Sequence, residues 1–174
     1  MAIDRWKLHE VFQRLGALLT EPTRLCVFGS APAILQGQPA RKTQDVDVWD
    51  PKSSYDMGAL AHACSLLGVL YDPLGEVEPN ATYLQIVRPG IVSLPGGFTT
   101  EPIARYANLT VVMPPPAVLS AAKLVRGHDR DIEDVRWWMR HRNLEMPQIK
   151  RAIETLPGSR HREAALENLV LLRC

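Results

Sequence analysis

Cysteine is scarce in this sequence, and a long apolar run is missing altogether. The three cysteines, Cys26, Cys64 and Cys174, are scattered without the spacing of a metal-binding motif. An odd number of widely separated cysteines argues against the disulfide framework of a small secreted domain. No apolar stretch reaches the roughly 20 residues that a membrane-spanning helix needs, and the first residues do not resemble a signal peptide. These absences favour a cytoplasmic protein without a membrane partner.

An excess of charge of one sign is missing as well. The 20 Lys and Arg residues nearly balance the 19 Asp and Glu residues, which leaves a formal net charge of +1. The chain as a whole is therefore not attracted to nucleic acid or to a membrane surface. The segment 123–142 is the clearest candidate for a local basic surface, although acidic residues interrupt it. The length of 174 residues suits one ordinary domain with its own hydrophobic core.

Hydrophobic periodicity predicts short strands among helices in the first two thirds of the chain and only helices after that. Strands are predicted at 25–28, 45–49, 69–71, 82–88, 91–94 and 109–113. Helices are predicted from 5 to about 20, from 31 to about 36, and at 53–67, 117–126, 129–142, 147–156 and 159–172. We therefore expect an α+β fold with a small mixed sheet flanked by helices over 1–113. A helical part over 114–174 is expected to pack on that core as one compact unit.

The most informative segment is the Gly29-Ser30 turn followed by the strand that contains Asp45 and Asp47. Side chains at i and i+2 of a strand point to the same face, so the two carboxylates share a face while the valines between and after them face the core. Carboxylates held in this way can bind a hard cation, and magnesium commonly combines one or two carboxylates with substrate phosphates. The pattern predicts a site for Mg²⁺ or Mn²⁺.

The Gly29-Ser30 turn opens the predicted helix at residue 31, where unpaired backbone amides and a partial positive charge suit a phosphate. Ser30 can cap this helix or add its hydroxyl to the phosphate site, and Lys123 would supply a mobile positive charge for a triphosphate tail. Each feature alone also has a purely structural interpretation, as a capped turn or a surface lysine. The two aspartates are harder to explain in this way, because like charges on one strand face repel each other and a cation relieves the repulsion.

The order of these pieces resembles the nucleotidyltransferase superfamily, whose mark is a Gly-Ser pair at a strand-to-helix turn and an Asp-x-Asp strand behind it. The sequence is most similar to one branch, the bacterial AbiEii and MenT-like proteins of type IV toxin-antitoxin systems and their small relatives. The pattern Arg-x-Thr-x-Asp-hydrophobic-Asp of that branch is matched from Arg41 to Asp47. Its later Lys-Leu helix and Arg-Asp-x-x-Asp motif are matched at Lys123-Leu124 and from Arg130 to Asp134.

The resemblance implies a magnesium-dependent enzyme that transfers a nucleoside monophosphate from a nucleoside triphosphate (NTP) to an RNA, with tRNA as one candidate, or to a protein hydroxyl. It also implies a toxin-antitoxin component with a cognate partner protein. The implied residues are Asp45, Asp47, Lys123 and Asp131 for catalysis, Asp45 and Asp47 for the metal, Gly29, Ser30, Arg41 and Lys123 for the nucleotide, and Thr43, Arg130 and Asp134 in support.

One departure from the family pattern concerns a third carboxylate, which the family usually carries on a later strand. The predicted strands at 82–88 and 91–94 contain no acidic residue. Two hypotheses follow. Either Asp131 or Asp134 supplies the acid from the carboxy-terminal helices, or the chain is a degenerate nucleotidyltransferase fold that binds nucleotide or a protein partner without transfer. An antitoxin of the same fold is a variant of the second hypothesis.

Overall fold

The computed structural model describes residues 3–173, and over these residues the chain forms seven α-helices and six β-strands. The strands are β1 Thr23–Cys26, β2 Asp45–Trp49, β3 Leu70–Tyr71, β4 Tyr83–Val87, β5 Glu101–Tyr106 and β6 Leu109–Met113. The helices are α1 Arg5–Leu18, α2 Ala31–Leu35, α3 Met57–Leu66, α4 Pro116–Arg126, α5 Asp129–His141, α6 Met146–Glu154 and α7 Ser159–Leu169. No helix within residues 3–173 has both the length and the apolar character needed to cross a membrane.

Chain contacts divide the molecule into two units. The sheet unit contains the residues up to Arg88 and Thr100–Met113, and the helical unit contains Pro89–Thr99 and the residues from Pro114 onward. The short segment 89–99 thus groups with the helices although it interrupts the strands along the chain.

The sheet unit holds two three-stranded sheets. One has the strand order β1-β6-β5, with β1 parallel and β5 antiparallel to β6. The other has the order β2-β4-β3, and both of its strand pairs are parallel. A bridge between Val27 and Val48 joins the end of β1 to β2. The apolar face of β2 and β4 and the inner faces of α1 and α3 form one core, in which Phe12, Val48 and Leu60 are fully buried.

The helical unit is arranged around α4, which packs against α5, α6 and α7. Its buried apolar residues include Leu124, Val135, Trp138 and Ile153. The segment 89–99 is tied to α7 by a hydrogen bond of 2.8 Å between Ser93 Oγ and His161 Nδ1.

The α+β fold class predicted from the sequence is confirmed, and strands 45–49 and 109–113 have the predicted bounds. The predicted strand 91–94 is wrong, because that segment makes only an isolated bridge between Pro89 and Val92. Strand β5 is not predicted by the hydrophobic pattern. Charged and proline residues break its apolar alternation, and it tolerates Pro102 because it is an edge strand with an irregularity between Pro102 and Ala104.

Helix α3 begins four residues later than predicted, and hydrogen bonds explain the shift. Ser53, the predicted start, donates its hydroxyl to the Trp49 carbonyl and accepts from the Cys26 amide, which holds it in a turn. The side chain of Asp56 accepts from the Ala59 amide and caps the helix instead. Met57 consequently lies on the first turn of the helix and is 62% exposed.

Candidate functional site

The two aspartates of β2 lie on the face of the strand opposite the core. Asp45 and Asp47 are half-buried, whereas Val46 and Val48 are 3% and 0% exposed. The alternation follows from the two-residue period of a strand, and the buried valines fix the register of the acids. The two carboxylates therefore share one partly solvated face at a separation set by the backbone.

Two hydroxyl groups hold the carboxylate of Asp45. Thr43, which is buried just before β2, donates to Asp45 Oδ1 at 2.6 Å. Tyr83 lies beside Asp45 in the register of β4 and hydrogen-bonds to its side chain. Burial, and then the negative charges of Asp45 and Asp47, raise the pKa of Tyr83, so its phenol keeps its proton and acts as a donor.

The glycine of the Gly-Ser turn lies directly against Asp47. Gly29 has a φ of +69°, and a Cβ atom built on it would lie 2.6 Å from Asp47 Oδ2. The adjacent Phe28 amide donates to the Asp47 carbonyl at 3.0 Å, which brings the turn and β2 together. A side chain at position 29 would be strained by the positive φ and would displace the carboxylate.

The Ser30 side chain does not cap helix α2, so that prediction is wrong. Ser30 occupies the N-cap position with helical backbone angles, φ −93° and ψ −24°, instead of the extended conformation that directs a cap side chain back to the helix amides. Its hydroxyl is therefore not used by the helix end. Because α2 has only five residues, its dipole adds little to an anion site, and a phosphate at this turn would depend on individual backbone amides.

Arg41 lies in the loop before β2, where it is half-buried and its Nη1 is 3.4 Å from the Lys42 carbonyl. Within the sheet unit, the structure thus brings Asp45 and Asp47 together with Gly29 and Thr43.

The other predicted site residues belong to the helical unit, where Lys123 forms a buried ion cluster. Its Nζ lies 2.7 Å from Asp134 Oδ2 and 3.5 Å from Asp131 Oδ1, and all three residues are at most 5% exposed. Arg126 forms a bidentate ion pair with Asp131, in which Nη2 donates to Oδ1 at 2.8 Å and Nε donates to Oδ2 at 3.2 Å. Arg130 is exposed in the first turn of α5.

The sequence predicted a mobile side chain for Lys123, whereas the structure buries this side chain in the cluster. A buried ammonium group is tolerated only when carboxylates compensate its lost hydration, and Lys123 has two such partners. Asp131 and Asp134 both form ion pairs with Lys123, and Asp131 also pairs with Arg126. All of these partners lie in the helical unit. Among residues 3–173, no group of three or more His, Cys, Asp and Glu side chains is arranged to hold a metal ion.

Strand β4 places two more polar side chains next to the aspartates, and a third residue after β3 holds one of them. The sequence suggested only that Tyr83 could approach the site from the central sheet. Strand β4 pairs Tyr83 with Asp45 and Gln85 with Asp47, and both β4 residues lie on the half-buried face. Asp72, directly after β3, accepts from Gln85 Nε2 at 2.6 Å and is ion-paired with Arg88. The only signal in the sequence is the alternation of β4, in which Leu84 and Ile86 are apolar and Tyr83 and Gln85 are not.

The donor set suits a hard cation of the magnesium type. Both β2 acids offer carboxylate oxygens, and a hydroxyl fixes one oxygen of Asp45. The close approach of Gly29 leaves no side chain between the turn and Asp47. Two carboxylates match the number that magnesium uses when substrate phosphates complete its coordination.

Comparison with solved structures shows which known fold the chain shares. The chain resembles the crystal structure of an antigenic nucleotidyltransferase-like protein from Paracoccidioides brasiliensis, with a TM-score of 0.51 and 17% sequence identity. The match covers 99% of this chain and 91% of that chain. At this identity the likeness shows a shared nucleotidyltransferase-like fold.

The sequence shows the family to which the chain belongs. It belongs to the DUF6036 family, described as a nucleotidyltransferase of unknown function, whose model matches residues 6–170. No curated protein matches the sequence.

Proposed function

We propose that the protein is a magnesium-dependent nucleotidyltransferase that transfers a nucleoside monophosphate from an NTP to an RNA or protein acceptor. The observation that carries the proposal is the β2 face, on which Asp45 and Asp47 lie together and Asp47 contacts the Gly29 turn. Membership of a nucleotidyltransferase family supports the reaction class.

In this proposal Asp45 and Asp47 hold the cation, with Mn²⁺ as a substitute for Mg²⁺. The bound ion would polarise the phosphoryl oxygens and offset the charge that develops during transfer. Thr43 and Tyr83 keep the Asp45 carboxylate in place. The amides of the Gly29-Ser30 turn and the Arg41 guanidinium are our candidates for binding the triphosphate.

Lys123 and Asp131 remain in the proposal as a nucleotide-binding lysine and a catalytic acid, with Asp134 and Arg130 in support. In the helical unit, Asp134 and Asp131 already compensate the charge of Lys123. A direct role would require these ion pairs to exchange for contacts to the substrate.

The sequence motifs favour a component of a toxin-antitoxin system, similar to the AbiEii and MenT-like proteins, with tRNA as the acceptor and a cognate protein as the partner. We place this activity in the cytoplasm, where NTPs and tRNA are found. A neighbouring gene for a transcription-factor-like antitoxin would favour the toxin role, and one for a small helical ribonuclease would favour an antitoxin role.

A second candidate function is nucleotide or partner binding without transfer. The position beside Asp47 on β4 is a glutamine, and the nearby Asp72 is neutralised by Arg88. A face with two acids and no third carboxylate can hold a cation and phosphates while lacking a base for the acceptor hydroxyl.

The test is an acceptor screen. The protein is incubated with Mg²⁺ or Mn²⁺, each α-labelled NTP in turn, and total tRNA or cell lysate. Transfer of label that disappears in Asp47→Ala supports the enzyme. Nucleotide binding by the wild type without transfer to any acceptor would support the second candidate instead.

A further inference from the structure

Gln85 occupies the middle of the face that carries the aspartates. Strand β4 lies between β2 and β3, and Gln85 is the register partner of Asp47 in the parallel β2-β4 pair. Neighbouring strands are about 4.8 Å apart, so the side chains of Asp47 and Gln85 leave the sheet next to each other. Both residues are half-buried, while Leu84 and Ile86 on the opposite face are in the core.

The amide of Gln85 is held in one orientation by Asp72. Gln85 Nε2 donates to Asp72 Oδ1 at 2.6 Å, and a carboxylate accepts hydrogen bonds but does not donate them. The nitrogen must therefore be the atom that faces Asp72, on the β3 side. Because the oxygen and nitrogen of a carboxamide diverge from the same carbon, this bond turns Oε1 away from Asp72.

Asp72 is itself fixed by several contacts. Its Oδ1 also accepts from the Ile86 amide at 3.1 Å, and its Oδ2 pairs with the Arg88 guanidinium at 3.2 and 3.3 Å. Its backbone has a φ of +42°, which is uncommon for a residue other than glycine. Asp72 is kept in a strained conformation by four hydrogen bonds, and one of these holds the Gln85 amide, which suggests that the orientation of the amide has a use.

We propose that Gln85 is the third oxygen ligand of the cation held by Asp45 and Asp47, with Asp72 as the positioning residue that points its Oε1 toward the ion. The inference rests on the proposed function, because it assumes a cation at the β2 pair. Amide and carboxylate oxygens are both suitable ligands for Mg²⁺ and Mn²⁺.

A neutral third ligand has a consequence for the order of binding. Two carboxylates and an amide place less negative charge around the cation than three carboxylates would, and affinity for a hard cation depends on the number of charged ligands. The ion should therefore bind weakly to the protein alone and more tightly when an NTP supplies phosphate oxygens.

The experiment is a titration with Mn²⁺ alone, followed by loss of the EPR signal of the free ion, with circular dichroism as a check of folding. Gln85→Met keeps the length of the side chain and removes its oxygen, and Gln85→Glu keeps an oxygen. Both substitutions remove the hydrogen bond that Nε2 donates to Asp72. Gln44→Ala, an exposed glutamine beside Asp45, is the control.

We expect Gln85→Met to weaken Mn²⁺ binding about tenfold or more, and Asp72→Ala to weaken it about tenfold by releasing the amide. Gln85→Glu should bind Mn²⁺ at least as tightly as the wild type, and Gln44→Ala should match the wild type. Equal losses of Mn²⁺ affinity in Gln85→Met and Gln85→Glu would show that only the hydrogen bond to Asp72 contributes to binding, and would overturn the inference.

Failure of the inference is distinguishable from failure of the proposed function. If Asp47→Ala abolishes Mn²⁺ binding while Gln85→Met binds as the wild type does, Gln85 is not a ligand and the aspartate pair of the proposed function stands. If the wild type binds no Mn²⁺, the inference falls together with the metal site. Nucleotidyl transfer is measured separately, so its absence does not affect the result of the titration.

Discussion

The Oδ2 atom of Asp47 lies 2.6 Å from the point where a Cβ atom would stand on Gly29. This close approach links the Gly-Ser turn to the acidic strand through direct contact. It gives a physical reason for glycine at position 29 beyond its φ of +69°.

Gly29→Ala is expected to weaken Mn²⁺ binding and to lower the free energy of unfolding by about 1–3 kcal/mol, because the new methyl group is strained and pushes Asp47 aside. Gly68→Ala is the matched control, since Gly68 has a φ of +67° and, within residues 3–173, a Cβ atom there would meet nothing within 4 Å beyond its chain neighbours. The control should lose stability from strain alone and keep its Mn²⁺ affinity. Mn²⁺ titration and urea unfolding of both variants make the comparison. Equal Mn²⁺ affinities for the two variants would show that the contact between Gly29 and Asp47 has no role in metal binding.

Thr43→Val is expected to weaken Mn²⁺ binding about tenfold, because the hydroxyl that holds Asp45 Oδ1 is lost. Thr23→Val is a control with the same change at another buried threonine, whose hydroxyl donates to the Glu21 carbonyl. Each variant should lose about 1 kcal/mol of stability from the missing hydrogen bond. The account of Asp45 fails if both variants bind Mn²⁺ as the wild type does.

The sequence was sufficient to predict the acidic face of β2, because alternation in a strand is a local property. Asp45 and Asp47 need only the two-residue period and the buried valines between and after them. The neighbours Tyr83 and Gln85 are different, since they depend on β4 pairing with β2 in one register over a separation of almost forty residues. No local pattern specifies that pairing.

The helical unit shows a second limit of sequence reasoning. Neighbouring helix positions point in different directions, so the adjacent Trp137 and Trp138 predict one tryptophan in the core and one outside it. Both are buried, at 9% and 0% exposure, and Trp137 stacks on His141 with the ring centroids 4.3 Å apart. The charge pattern of α4 and α5 likewise did not reveal that Lys123 is buried between Asp131 and Asp134.

Lys123→Met is expected to lower the free energy of unfolding by about 3–5 kcal/mol, because it removes the 2.7 Å ion pair between Lys123 and the buried Asp134. Arg126→Met should cost less, since the Arg126 side chain is 64% exposed. The double variant Lys123→Met, Asp134→Leu should recover part of the loss by removing the buried carboxylate as well. Urea unfolding measures all three. If Lys123→Met is as stable as the wild type, Lys123 has no structural role and a substrate contact becomes the better explanation.

The two described cysteines should be protected from thiol reagents in the folded protein. Burial raises the pKa of Cys26 from 9.0 to about 12 and that of Cys64 to about 11. In a Cys174→Ser background, neither thiol should react with a disulfide reagent at pH 8 until the chain unfolds, and both should react afterwards. Rapid reaction of the native protein would contradict the burial of these groups.

The same thiols make folding stability depend on pH. The unfolded chain releases these protons near pH 9, whereas the folded chain keeps them to about pH 11 and above. The folded state therefore binds more protons in this range, and its stability from this source decreases as the pH rises above 9. Cys64→Ala should show a smaller decrease between pH 9 and pH 11 than the wild type in urea unfolding.

The most direct test of the central claim compares two labels on the same NTP. Wild-type protein, Mg²⁺ and an acceptor pool are incubated with the α-labelled or the γ-labelled form, and Asp47→Asn is measured beside Asp56→Asn, whose aspartate caps α3. The account predicts that α-label alone enters the acceptor, that Asp47→Asn abolishes it and that Asp56→Asn retains it. Transfer that persists in Asp47→Asn, or γ-label in the acceptor, would contradict it.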